Sequence, residues 1–560
     1  MQPIVTEDDL SLQCIYRWER ERGSQIFLTQ PFGGGQVREW TWSQAVDEAR
    51  RMAAYLKAQG WEPGSRVAIL SRNCAWWIMA DMAIWMAGYV SVPIYPSLRA
   101  ESVRQILEHS EARTCFIGAT DDREMVTDGV PEDLCSVFFP TAAPGNHPLW
   151  PDLVAAYAPI PGNPTRPGDD LATIIYTSGT TGRPKGVMHR FSSFAFNAQA
   201  LARILGLNAD QHVLSYLPLA HIVERAGMEG VSFWLGSRIF FTEGLETFVA
   251  DLHRAGPTIF LSVPRLLLKF QQGVLAKLPP WKLNLLLAIP IVNRAVKRKI
   301  LDQLGLATVR LAACGSAPLP VDILLWFRRL GLNLVEGYGM TETMITHLPE
   351  PGKLRPGYVG PALEGVETRL AENGELQIRS PMNMLGYYKD DAGTAAAFTS
   401  DGFFHTGDIG AIEAGGQLKI VGRLKEQFKT SKGKYVAPAP IESRLAAHPA
   451  VDACCLMGAG QPSPFAIVVL SDEARKRSKD PAARKALEGS LEAQMQAVNA
   501  HLDPHERVSL IAIVDGPWSV ENGLMTPTLK VKRGYLETRY QALIDGWTKL
   551  GRPVVWETAP

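Results

Sequence analysis

The chain has 560 residues, 46% of them hydrophobic, enough for sizeable cores in roughly three to five compact units. Its 57 Lys plus Arg balance 57 Asp plus Glu, and a formal charge of zero gives no bulk reason to expect nucleic acid as a partner. Seven cysteines, without a Cys-x-x-Cys pair, argue against a disulfide framework or zinc site and fit a reducing, cytoplasmic compartment; the acidic start MQPIVTEDDL does not read as a secretory signal.

Taken in chain order, Thr41 to Leu56 reads as an amphipathic helix opened by a Thr–Ser cap region, and Arg66 to Leu70 as a short buried strand after the Pro63-Gly64 turn. Trp76 to Tyr95 imitates a membrane span in length, but Asp81 near its middle would be costly in hydrocarbon. With Gly88 and Pro93 as punctuation, it reads as a buried helix over about 76–87, a turn, and a buried strand at 90–94. Ala112 to Gly118, Leu171 to Tyr176 and Thr258 to Val263 read as further buried strands. Such strand–helix alternation means an α/β fold with largely parallel sheets. Leu275 to Leu301 joins apolar residues to a basic end. It reads either as a core helix pair broken by Pro290 or as a segment making peripheral contact with the inner face of a membrane. After about residue 355, GELQIRS (374–380) and QLKIVGR (417–423) give a small β-rich section. From 425 a mixed α+β tail follows, with a charged, solvated helix over Asp472 to Gln496 broken at Asp480-Pro481, and helical TRYQALIDGWTKL near the end.

The stretch LATIIYTSGTTGRPKGVMHR (171–190) is the most informative. After the apolar strand comes a loop with Thr177, Ser178, Gly179, Thr180, Thr181, Gly182, Lys185 and Gly186. Glycines let backbone N–H groups approach an anion, the hydroxyls add donors, and Lys185 adds a compact cation. That is a cradle for a polyphosphate. It is not a Walker loop, because Pro184 precedes the lysine and Gly186 follows it.

YTSGTTGRPKGV resembles the signature loop of the adenylate-forming superfamily of acyl-CoA synthetases, peptide-synthetase adenylation domains and firefly-type luciferases. The resemblance continues along nearly the whole chain. It implies a large N-terminal domain (1–424) of two α/β sheet subdomains plus a small β-rich subdomain, then a smaller, mobile α+β C-terminal domain (425–560). In LAACGSAPLP (311–320) and LVEGYGMTET (334–343), it implies that Gly315, Ser316, Ala317, Gly337, Tyr338 and Gly339 line an adenine. Thr341 would contact the α-phosphate, and Glu342 would be the Mg²⁺ ligand, a hard oxygen suited to that ion. In FFHTGDIG (403–410), Asp408 would accept hydrogen bonds from a ribose diol, with Arg423 beside it.

Within GRLKEQFKTSKGKYVAP (422–438), Lys425 would be the pivot between two orientations of the small domain and Lys434 a basic residue of the hinge-proximal loop. ENGLMTPTLKVKR (521–533) would supply the catalytic Lys530. Many family members have Gly-Lys where this chain has Leu529-Lys530, so Lys532 and Arg533 stand as neighbouring alternatives. LPLAHIVERAG (217–227), SVPRLLLKF (262–270) and TPTLKVKR look like long-chain fatty acyl-CoA synthetases, which would set His221 near the acyl and phosphate sites.

The reaction so implied is activation of a carboxylic acid, medium- or long-chain, by ATP to an acyl-adenylate, then transfer to coenzyme A. A carrier-protein pantetheine thiol is the alternative acceptor, and a non-catalytic nucleotide-binding regulator the alternative class. Joint presence of Lys185, Glu342, Asp408 and Lys530 favours catalysis.

Overall fold

The computed structural model describes residues 5–122, 126, 128–143, 147–178, 184–520, 522–526 and 531–557. Two seven-stranded sheets, covered by helices, organise the first 390 residues. The first runs, in spatial order, Leu334–Glu336, Leu311–Cys314, Ile259–Ser262, His212–Ser215, Arg238–Phe241, Ile26–Pro31 and Val37–Thr41; only the last pairing is antiparallel. The second runs Gly386–Tyr387, Pro184–Arg190, Leu171–Ser178, Val90–Ile94, Arg66–Leu70, Thr114–Ile117 and Ser136–Phe138, antiparallel at its first two pairings and parallel beyond. Inner strands such as RVAIL and VSVPI are continuous apolar runs because helices cover both sheet faces.

The helix Trp42–Ala58 begins where its capping box predicts: Gln44 N donates to Thr41 Oγ1 at 3.3 Å, and Thr41 N to Gln44 Oε1 at 2.9 Å. All twelve residues of the helix Ala75–Met86 are buried, which explains the membrane-like composition. Its Asp81 is met by Arg225, whose Nη2 lies 2.9 Å from both carboxylate oxygens. No described helix is long and apolar enough to cross a membrane.

A four-stranded antiparallel sheet follows, Glu367–Leu370, Glu375–Arg379, Phe404–Glu413 and Gln417–Arg423, where the Gly-punctuated strands were expected. A last sheet of Val451–Met457, Phe465–Leu470, Ile511–Val514 and Val554–Trp556 has apolar clusters on both faces.

Two expectations need correction. The 472–496 stretch divides at Asp480, which caps Pro481–Asn499 through Ala483 N at 2.8 Å, but this helix is not simply solvated, since Leu491, Met495 and Val498 are buried. Residues 275–301 are not a core helix pair. They belong to the helices Pro264–Lys277, Pro280–Ala288 and Pro290–Gln303, each with proline in its first turn, and the last two bury only Leu283, Leu287 and Ile300.

Candidate active site

Strand pairing runs further into the phosphate loop than the sequence indicated. Thr177 faces Lys185 and Ser178 faces Pro184 across an antiparallel hairpin, so both ends of the expected cradle are strand residues. Gly179, Thr180, Thr181 and Gly182 lie outside the described residues. Gly186 has a packing reason of its own: a Cβ there would stand 2.8 Å from Ile174 Cγ2 and 3.2 Å from Tyr176 Cζ. Lys185 Nζ sits 4.5 Å from the Tyr387 ring centroid and 3.7 Å from Asp390 Oδ2, which holds the ammonium at the root of the hairpin.

Tyr387 also donates its hydroxyl to Glu342 Oε1 at 3.1 Å, tying the expected metal ligand to the strand beside the lysine. Burial raises the Glu342 carboxyl above its ordinary range, opposed by the Tyr387 hydrogen bond. Among the described residues no group of three or more His, Cys, Asp or Glu could cage a metal. A single carboxylate at a phosphate site fits Mg²⁺, which keeps waters and shares phosphate oxygens instead of demanding an all-protein shell. Thr341 is placed through its backbone, where His189 Nε2 donates to its carbonyl oxygen at 2.7 Å. Burial lowers His189 to about 4, so it stays neutral and acts as a fixed donor.

The two glycine turns meet directly, Gly337 N donating to Cys314 O at 2.9 Å. Gly339 admits no side chain, since a Cβ would fall 2.1 Å from Met344 O. Ser316 holds a left-handed φ of 69° in the turn Gly315–Ala317. Glu336 Oε1 accepts from Leu319 N at 2.9 Å and supports that turn from beneath; burial pushes its carboxyl up to about 7. The Tyr338 hydroxyl donates to Asp408 Oδ2 at 2.6 Å, and Arg423 Nε to Asp408 Oδ1 at 3.0 Å. Each carboxylate oxygen of Asp408 is therefore already oriented by a donor from a different segment, while its remaining lone pairs can accept from a diol.

An apolar pocket opens from Gly315, Gly337 and Gly339 and continues past Ile222, Gly227 and Leu205. One wall is a π-helical turn, Arg225–Gly230, a local widening that occurs mostly at functional sites. His221 caps the helical turn before it, its Nδ1 accepting from Val223 N at 3.1 Å. Behind that wall Glu224 Oε1 accepts from the Ser215 hydroxyl at 2.7 Å and from Tyr216 N at 3.1 Å; burial pushes its carboxyl up to about 8. Arg225 joins Asp81 to Glu229, Nη1 lying 3.4 Å from Glu229 Oε2, and burial raises the Glu229 carboxyl.

Beyond Arg423, Lys425 is exposed in a turn closed by Gln427 N donating to Arg423 O at 3.1 Å. Lys434 is exposed in the turn between Phe428–Lys429 and Tyr435–Val436, with its backbone held by Thr430. Lys530 lies outside the described residues, but its neighbours are informative. Arg533 Nη2 pairs with Glu442 Oε1 at 2.6 Å and Nη1 with the Leu456 carbonyl, which commits that guanidinium to the interior of the small domain. Lys532 Nζ stands 5.5 Å from the Tyr535 ring centroid. The described part of the same loop faces the large domain, since a Cβ at Gly523 would lie 3.3 Å from Arg99 Nη2. Arg265 Nη2 to Asp452 Oδ1 at 2.6 Å, and the Ser443 hydroxyl to Pro318 O at 3.2 Å, hold the two parts together.

Of these groups His189, Glu336, Tyr387, Asp390, Glu224 and the Asp81–Arg225–Glu229 chain were not anticipated from the sequence. Only the apolar setting of Asp81, and the closeness of Tyr387 and Asp390 to a recognised motif, hinted at any of them.

A family model described as AMP-binding enzyme matches residues 16–388, and one described as AMP-binding enzyme C-terminal domain matches residues 425–549. A long-chain-fatty-acid–CoA ligase of Mycobacterium bovis is 30% identical over 97% of this chain and 97% of its own length. Long chain acyl-CoA synthetase 6, peroxisomal, of Arabidopsis thaliana is 30% identical over 92% of this chain and 82% of its own. Among solved structures, the adenylation domain of a carboxylate reductase from Mycobacterium chelonae superposes with a TM-score of 0.82 at 22% identity, covering 96% of this chain and 91% of that one. An anthranilate CoA ligase in complex with anthranoyl-AMP gives 0.76 at 22%, covering 96% and 99%.

Proposed function

The chain belongs to the family of AMP-binding enzymes and is an adenylate-forming ligase, and from that premise we propose that it couples a medium- or long-chain fatty acid to coenzyme A with ATP. The observation that carries the substrate class is the apolar pocket, which begins at the Gly315, Gly337 and Gly339 turns and runs between apolar side chains. A hydrocarbon tail can lie there while its carboxylate stays beside the nucleotide.

The fatty acid carboxylate attacks the α-phosphorus of ATP in line, pyrophosphate leaves, and an acyl-adenylate remains. Asp408, oriented by Tyr338 and Arg423, accepts from the ribose hydroxyls. Residues 177–182 and Lys185 hold the phosphates, Thr341 meets the α-phosphate, and Lys530 stabilises charge on the leaving group. Mg²⁺ held through Glu342 would neutralise charge developing on the phosphate oxygens. No protein nucleophile is required. The small domain (425–560) then turns about Lys425, Lys530 withdraws, and the thiolate of coenzyme A attacks the acyl carbonyl and expels AMP. His221, the residue before the pocket-lining Ile222 and Val223, would act beside the reacting carboxyl.

Labelled ATP, magnesium and a panel from butyrate to palmitate test this, with and without coenzyme A. AMP and pyrophosphate released with octanoate or palmitate, and acyl-CoA formed only when coenzyme A is present, is the expected result. AMP from no acid in the panel refutes the adenylation. Acyl-adenylate that forms but never reaches coenzyme A moves the acceptor to a carrier-protein thiol.

A further inference from the structure

The hairpin formed by the helices Pro280–Ala288 and Pro290–Gln303 has an outer face unlike the rest of the surface. Trp281 is 68% exposed, Leu285 58%, Ile289 43% and Ile291 89%. Trp281, Leu285 and Ile289 recur every four residues, so they form one stripe on the first helix, and Ile291 continues it over the turn. The base of the hairpin is fixed: Leu283 and Leu287 pack into the core with Leu267 and Phe270, and Arg329 Nη1 donates to Asn284 Oδ1 at 2.6 Å. The stripe is therefore presented on a rigid support.

Charge on the hairpin is mainly basic. Residues 280–303 contain five Lys and Arg against one acid, Asp302 at the far end of the second helix, although the chain as a whole is neutral. Arg254 and Arg265 are paired with Asp251 and Asp452. Lys282, Arg294, Arg298 and Lys299 are exposed and make no ion pair with a described carboxylate. Arg294 and Arg298 are one helical turn apart, beside Ile291. Exposed aliphatic and indole groups ringed by unpaired cations match the boundary between anionic headgroups and acyl chains. A second copy of the same patch would set like charges against each other, which argues against self-association.

We propose that this hairpin docks the protein on an anionic lipid bilayer, with Trp281, Leu285, Ile289 and Ile291 entering the headgroup–acyl boundary and Lys282, Arg294 and Arg298 meeting lipid phosphates. Recruitment to a bilayer would bring the pocket to the phase in which long-chain acids concentrate. The docking does not depend on the proposed reaction, because binding is measured without turnover.

The test is sedimentation of the full-length protein with vesicles of phosphatidylcholine alone or mixed with phosphatidylglycerol. Binding to the mixed vesicles that is released by added salt is expected. The triple variant Lys282→Gln/Arg294→Gln/Arg298→Gln is expected to bind them about 100-fold more weakly, and Trp281→Ser/Leu285→Ser/Ile291→Ser to lose binding too. All of these side chains are exposed, so matched thermal melts establish that both variants fold. No sedimentation of the wild type with anionic vesicles, or variants that sediment like the wild type, would overturn the proposal. So would a wild-type dimer in light scattering that the apolar variant converts to monomer, since a second copy would then own the patch.

Discussion

Replacing Gly227 tests the acyl pocket at a point where the structure sets the scale. A Cβ at this glycine would lie 3.2 Å from Ile345 Cδ1 and 3.3 Å from Leu261 Cδ1, both free ends of side chains that can give by a few tenths of an ångström. Gly227 lies within the π-helical turn and holds no left-handed φ, so a larger residue is not barred by its backbone. Gly227→Leu places four carbons where the tail of a long acid would run. At about 0.8 kcal/mol per buried methylene, displacing three or four tail carbons costs about 3 kcal/mol, or roughly 100-fold in kcat/KM. The assay is pyrophosphate release across saturated acids from butyrate to palmitate at saturating ATP. Long acids should lose activity by that factor while the shortest keep theirs, and the KM for ATP should not move. A uniform fall across all lengths, or an unchanged profile, would show that the tail lies elsewhere.

Asp408→Ala removes the acceptor that Tyr338 and Arg423 orient, and should raise the KM for ATP about 10- to 100-fold; an unchanged value in ATP titrations would exclude the ribose contact. Lys530→Ala should slow adenylation about 100- to 1,000-fold but leave thioester formation from supplied acyl-adenylate nearly intact. Equal losses in the two half-reactions would remove Lys530 from its role. Glu224 makes stability depend on pH: burial lifts its carboxyl from 4.5 to about 8, so the folded state holds the proton more tightly than the unfolded chain. Its contribution is complete below pH 4.5 and is lost as pH rises through about 8. Glu224→Gln keeps a neutral side chain, so the wild-type melting temperature should fall relative to the variant between about pH 5 and pH 9. Parallel melting curves over that span would contradict a carboxyl raised by burial despite its two hydrogen-bond donors.

What the sequence displayed was local. Arg66–Leu70 and Val90–Ile94 are short apolar runs bounded by turn residues, and their ends were found to the residue. Asp408 and Arg423 were expected side by side, and adjacent antiparallel strands place them in register. Three kinds of information were missing. Partners distant in the chain leave no local pattern: Asp81 was recognisable as a charge in an apolar helix, but nothing nearby named Arg225. Hydrogen bonds through backbone atoms, as from His189 to Thr341 and from Leu319 to Glu336, are independent of the identity of one partner. Exposure was the third, since an apolar helix with few charges reads alike whether it is covered or not. Residues 275–301 therefore read either as a core helix pair or as a membrane-facing segment, and of these 280–291 lie largely at the surface. At the C-terminal end, the commitment of Arg533 to Glu442 narrows the choice among neighbouring cations in a way that no local spacing could.

The first sheet also imposes an order on biogenesis. Its strand Ile26–Pro31 emerges early from a ribosome, yet one edge of it is completed in parallel only by Arg238–Phe241, with Leu28 opposite Ile239. At typical translation speeds of about 5–20 residues per second, the nascent hairpin waits roughly 10–40 s with that hydrogen-bonding edge open. Phe27 can stack on Trp42 as soon as the helix Trp42–Ala58 forms, but Leu28, opposite Ile239 in the finished sheet, lacks that partner for the same interval. Slow decoding upstream of codon 238 would prolong that exposure and favour capture by chaperones or pairing with a neighbouring nascent chain.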